Sequence, residues 1–162
     1  MAHDAQISGA NDFDFLHGSW DVHSRRLTSR LTGSDDWEEF EATGTCFPTL
    51  GGIGNVDDFT PDWPGHEGYI GQSFRFFDLA QHRWSIYWAD TSSRVLQPPV
   101  HGRFVNGVGE FFGEDEHLGT PVIARFHWSQ ITPVSALWEQ AFSIDGGETW
   151  ETNWTMAFTR VV

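Results

Sequence analysis

From Tyr69 to Arg160 the chain keeps returning to a period of two, and that alternation constrains its fold more than any other feature. Ile70, Gln72, Phe74 and Phe76 alternate with Tyr69, Gly71, Ser73 and Arg75, and Trp84, Ile86 and Trp88 alternate with Ser85, Tyr87 and Ala89. Val122, Ala124, Phe126 and Trp128 follow, then Trp138, Gln140 and Phe142, then Trp150, Thr152, Trp154, Met156, Phe158 and Arg160. Successive side chains of a strand point to opposite faces, so these runs read as strands with one buried face. Asn106-Gly107, between two apolar runs, is the strongest hairpin signal. With weaker runs over 18–31, 37–47 and 53–59, the chain holds about ten strands at the spacing of a sandwich or barrel.

Consecutive hairpins favour an up-and-down meander, and closing it removes the exposed edges. The expected fold is therefore all-β: a single antiparallel up-and-down β-barrel. A short N-terminal helical turn over 12–17, capped by Asn11 or Asp12, precedes it. Residues 1–10 read as a flexible tail and 11–162 as one barrel domain. The stretches 60–68 and 92–100, with Pro61, Pro64, Pro98 and Pro99, read as loops at a barrel mouth, where ligands enter.

Charge narrows the partners. Nine arginines and no lysine face 23 acidic residues, a formal charge of −14. Such a field repels nucleic-acid phosphates and anionic membrane, so neither is an expected partner. The missing lysine excludes Schiff-base chemistry and a phosphate-loop lysine. Cys46 stands alone, which excludes an internal disulfide and a cysteine-rich zinc site. The first ten residues lack the pattern of a signal peptide, and no apolar run approaches the ~20 residues of a membrane helix. The expected location is the cytoplasm.

Phe15-Leu16-His17-Gly18-Ser19-Trp20 leads into the first strand, and Arg160 sits near the other end of the chain. In a closed barrel those strands are neighbours, so the guanidinium is expected over the Trp20 indole, a contact worth about 0.5–2 kcal/mol. Gly18, Trp20 and Arg160 resemble the mark of the calycin superfamily, which groups lipocalins, fatty-acid-binding proteins and nitrobindin-like barrels. Residues 15–27, 69–90 and 138–154 also look like a bacterial domain family with a calycin-like barrel. The resemblance implies a structural role for Trp20 and Arg160 and does not name a ligand. Ser143 to Trp150 looks like a single Asp box, read as a hairpin in which Asp145 bonds backbone amides.

Fourteen Phe can fill a barrel, but nine Trp exceed what packing asks, because indole N–H groups want partners. Trp88, Trp128 and Trp154 share faces expected to point inward. Taking Trp20 as inward turns Ser24 and Arg26 inward too, and Gln72, Asp90 and Gln140 share faces with apolar neighbours. The expected ligand-binding set is Arg26, Trp88, Asp90, Trp128, Gln140 and Trp154. Arg75, Arg125, His127 and Glu139 fall on the opposite parity, with Arg125–Glu139 as an outer-wall ion pair, unless a bulge or misread parity makes these four the interior set.

The leading function is a binder of a small apolar or aromatic molecule, with Arg26 able to hold an anion despite the acidic field. An alternative is a cofactor-free isomerase, cyclase or hydratase in which Asp90 and His101 move a proton. None of the eight histidines shows metal-ligand spacing, so no metal site is expected; a haem-binding barrel is a lesser reading. The last is an interaction module, a homodimer built on the outer wall around a packed interior.

Overall fold

The alternating runs close on themselves. In a computed structural model, which describes residues 9–162, ten antiparallel strands form a closed barrel. They are β1 (Gly18–Leu27), β2 (Trp37–Thr49), β3 (Gly54–Pro61), β4 (Gly71–Asp78), β5 (Arg83–Asp90), β6 (Val100–Val105), β7 (Val108–His117), β8 (Thr120–Ser129), β9 (Ser135–Ser143) and β10 (Glu151–Arg160). Each strand pairs with the next, and β1 pairs with β10 to complete the ring. Closure leaves no sheet edge for another chain to extend. Among the described residues no helix is long and apolar enough to cross a membrane.

The two ends of the barrel differ. The tight turns at 79–82, 106–107 and 130–134 gather at one end, together with the N-terminal segment and a 3-10 turn at Asp14–Leu16. That turn is shorter than expected, and Phe13 rather than Asn11 or Asp12 occupies its cap, with no side-chain bond. Phe13 plugs this end, packing edge-on against Trp84 (5.0 Å) and Phe104 (4.9 Å) and stacking on Phe111 (5.6 Å). Of the expected tail, residues 1–8 lie outside the described residues, while Gly9 is part of the plug: its carbonyl accepts the Trp84 indole N–H at 3.0 Å.

Arg160 locks the plug to the barrel. Its guanidinium lies 4.2 Å above the Trp20 ring and donates to the carbonyls of Phe15, His17 and Pro133. Trp20 donates to Leu16 at 2.8 Å. Gly18 is required here, because at φ +115° a Cβ would stand 2.7 Å from the Arg160 fork. Loops 28–36, 62–70, 91–99 and 144–150 gather at the opposite end, which is the mouth.

Two parities depart from the sequence reading. On β4 it is Gly71, Ser73, Arg75 and Phe77 that face inward, and Gln72 is exposed. Arg75 is therefore interior, 3 % exposed, whereas Arg125, His127 and Glu139 stay on the outer wall. The outer face of β4 carries Phe74 and Phe76, which meet Tyr87 of β5; ring and register contacts there give the outer wall an aromatic stripe that mimics a core face in sequence. The second departure is a bulge between Thr152 and Trp154, where the extra residue, Asn153, is fully buried and accepts from Gln140 at 2.8 Å. Before the bulge the alternation inverts. Trp150 thus lies outside, under the Arg125 guanidinium at 4.6 Å, and Glu151 is the residue opposite the inward-facing Phe142. Arg125 is in register with Ala141, so the expected Arg125–Glu139 pair does not form; His127 pairs instead with Glu110 at 3.5 Å.

Candidate functional site

Inward-facing residues of nearly every strand enclose a cavity of about 110 Å³. Its walls are mostly aromatic: Trp20, Trp88, Trp128, Trp138 and Trp154, with Phe59, Phe126 and Phe158, and Met156 beside them. Small residues make the room. Gly71 is the clearest, because a Cβ there would sit 2.2 Å from the Trp88 ring, so only glycine lets that indole lie across β4. Trp88 is held in place by its N–H, which donates to Asp90 at 3.0 Å. Gln97 and Pro98 from loop 91–99 complete the wall where β5 and β6 diverge, after only three paired positions.

Polar groups sit at two levels. On the closed-end side Arg75 donates to Asn55 (3.0 Å) and Asp57 (3.3 Å), with its guanidinium between the Phe13 and Trp128 rings at 5.2 and 5.8 Å. Its Nε–H and the Trp128 indole N–H are buried without a partner, and both residues line the cavity. Unsatisfied buried donors are uncommon, because each costs the free energy of losing water. Cys46 lines the same space, and burial pushes its thiol up to about 12, so it is a protonated, unreactive wall residue.

At the mouth stand Arg26, Arg30, Trp63, Tyr69, Trp88, Asp90 and Trp154. Trp63 of loop 62–70 stacks on Phe40 at 4.9 Å and on His66 at 3.8 Å, roofing the interior. Arg26 lies 5.1 Å from the Trp63 ring and 5.2 Å from the Trp154 ring. Arg30, from loop 28–36, stacks on Trp154 at 5.7 Å and Phe142 at 5.5 Å. Burial holds both guanidinium groups below their ordinary value, Arg30 to about 9, where the charge of Arg26 adds to the effect.

Asp90 is at the mouth, at the end of β5 beside loop 91–99, yet its oxygens are taken. It accepts from Tyr69 Oη (3.1 Å), Trp88 Nε1 (3.0 Å), Ser92 N (3.0 Å) and Ser93 N (2.8 Å). Burial disfavours its charge, but the bonds from Ser93, Trp88 and Tyr69 outweigh that and keep the carboxyl below its usual range. A carboxylate so held is a poor proton acceptor at neutral pH. His101 is not beside it: odd positions of β6 face outward, and its Nδ1 lies 2.8 Å from Ser85 Oγ on the outer wall. The expected Asp90–His101 proton-transfer pair is thus divided by the sheet.

Of the expected ligand-binding residues, Trp88, Trp128, Gln140 and Trp154 line the cavity and Arg26 and Asp90 rim it. Sequence reasoning missed Arg30, which lies in a loop where strand parity says nothing, and misassigned Arg75. Among the described residues no three His, Cys, Asp or Glu side chains are grouped to hold a metal ion.

No known family profile matches the chain, and no curated protein does. Among solved structures it is similar to the S-type phycobiliprotein lyase CPES from Guillardia theta, with a TM-score of 0.53 and 13 % identity over 93 % of this chain and 90 % of that one. At that identity the likeness is one of fold, and it extends over the whole barrel.

Proposed function

We propose that this protein is a calycin-like binder of a small, flat, apolar or aromatic molecule held inside the barrel. The observation that carries the reading is the tryptophan-walled cavity of about 110 Å³ with unpaired donors on Arg75 and Trp128. A packed interior module would fill that space, since protein cores leave few voids larger than a water. Its size selects the ligand class. An apolar cavity of about 150 Å³ takes up benzene, whereas drug-sized molecules occupy about 300–1,000 Å³. At about 110 Å³ the enclosed space takes a single ring; a second fused ring extends toward the mouth, and a macrocycle does not fit. The indole faces supply contact area, and a carbonyl or similar acceptor on the ligand satisfies the orphan donors. A fold shared with a phycobiliprotein lyase is compatible with a small-molecule partner.

Binding is favoured over turnover because the carboxylate at the mouth is saturated, the histidine lies outside and the thiol is protonated. Calorimetric titration with indole tests the reading, using Ala124→Leu to fill the cavity wall. Indole is expected to bind the native protein and to lose at least tenfold in affinity to the variant. Equal affinity for both proteins, or no binding to the native one, overturns the proposal.

A further inference from the structure

Two arginines at the mouth are built in a way that the cavity alone does not explain. Both are desolvated against aromatic faces, and they share one, the Trp154 indole. Three of their N–H groups, Arg26 Nε, Arg30 Nε and Arg30 Nη2, are buried without a partner. Carboxylates stand nearby but are committed elsewhere. Asp90 accepts four bonds from neutral donors. Glu151 accepts the Leu31 amide at 2.9 Å, and Glu38 reaches only Arg26, at 4.0 Å. Among the described residues no carboxylate lies within ion-pair distance of Arg30.

The backbone that presents Arg30 is held deliberately. Leu31 adopts φ +60°, a left-handed conformation that bulky residues avoid, and the bond to Glu151 fixes it there. The bulge at Asn153 is what turns Glu151 to the side where it can do so. Arg26 keeps 25 % of its side-chain surface exposed, so the pair is reachable from the mouth. Guanidinium forks match the two oxygens of a carboxylate, and such charge-assisted contacts are stronger than neutral ones.

We infer that Arg26 and Arg30 form an oxyanion subsite at the barrel mouth, so that the ligand is an aromatic molecule carrying a carboxylate on a short arm, its ring inside against Trp154 and its carboxylate on the two guanidinium groups. This rests on the binding reading above and names the ligand's chemical class. Arg75 sits on the far side of the cavity and is already paired with Asp57, which leaves the mouth as the place for a charge. The acidic exterior opposes an anion at long range, but over a few ångströms in a desolvated site the adjacent guanidinium groups dominate.

Three probes of one ring system separate the possibilities by calorimetry: indole, indole-3-propionamide and indole-3-propionate. The native protein is expected to bind the propionate at least tenfold more tightly than the isosteric amide. Arg30→Gln is expected to remove that preference, read as the ratio of propionate to amide affinity within the variant, and Arg26→Gln to do the same if the first variant folds poorly. Circular dichroism and the thermal midpoint report the fold of each. Equal affinity for amide and propionate, or a preference that survives both substitutions, overturns the oxyanion subsite while leaving the cavity reading intact. If none of the three probes binds the native protein, both readings fail.

Discussion

The two ends of this barrel use arginine and tryptophan in opposite ways. At the closed end Arg160 rests on Trp20 and spends its fork on three backbone carbonyls, and the Trp20 N–H is bonded as well. At the mouth Arg26 and Arg30 rest on Trp154 with three donors unspent. The same pair of residue types thus makes a lock where the hydrogen bonds are complete and a receptor where they are not. The long loops all lie at the mouth, where only the 118–119 turn is tight, while the connections at the lock are short. The Arg160–Trp20 pair leaves no buried donor unpaired, whereas the cluster on Trp154 leaves three.

The largest expected effect breaks the lock. Arg160→Ala removes three charge-assisted bonds and a cation–π contact, and leaves three carbonyls to find water. A loss of about 3 kcal/mol is expected, because each such bond is worth roughly 1.5–3 kcal/mol and neighbouring bonds are not additive. For a chain of this size that lowers the thermal midpoint by about 6–12 °C. Calorimetry checks it, and a shift under 2 °C would mean that the plug holds without the lock.

A smaller effect is expected in the cavity wall. Gly71→Ala drives a methyl group into the Trp88 ring, 2.2 Å away, so the indole must leave Asp90 or the strand must shift. Overpacking of this kind costs about 1–3 kcal/mol. Unlike loss of the lock, it is expected to weaken indole binding as much as it weakens the fold. Urea unfolding and calorimetry on the same variant read both; unchanged binding would show that Trp88 does not set the cavity's shape.

The lock was legible in the sequence and the receptor only in part, for physical reasons. Gly18, Trp20 and Arg160 sit where any closed meander brings first and last strands together, so connectivity alone pairs Trp20 with Arg160. Strand number, hairpins and the inward parity of Trp88, Trp128 and Trp154 follow from alternation. Alternation fails where the outer wall is itself aromatic, as at Phe74 and Phe76, and where an interior position must be small or cationic, as at Gly71, Ser73 and Arg75. It fails again at Asn153, whose extra residue turns Trp150 outward. His101 was paired with Asp90 by proximity in the chain, although its own parity on β6 faces it outward. Arg30 belongs to a loop ordered by a contact 120 residues away, and no local signal encodes that.

A third substitution sharpens the comparison by giving almost no destabilisation. If the mouth arginines are held for recognition, Arg30→Met is expected to leave stability within about 1 kcal/mol of the native protein or to raise it, since apolar replacement of a desolvated, unpaired charge is often neutral or favourable. Thermal midpoints of this variant and Arg160→Ala, measured together, make the contrast direct. A loss at the mouth as large as at the lock would mean that Arg30 is structural and the two ends are alike.

Acid separates the ends with the smallest effect. The 144–150 turn at the mouth is tied by Asp145, which accepts from Ser143 Oγ (2.8 Å) and from the amide (2.9 Å) and hydroxyl of Thr149. Those bonds hold its carboxyl down at about 2, against an ordinary 3.8. A depressed carboxyl contributes stability that is complete above its unfolded value and is lost as pH falls through the folded one. Asp145→Asn should therefore lie below the native thermal midpoint by a constant margin from pH 7 to about 4.5, and the margin should close toward pH 2. The lock's acceptors are backbone carbonyls, so the Arg160→Ala margin should stay level. If the two margins move in parallel, the turn and the lock answer to the same groups, and the mouth is not separately loosened by acid.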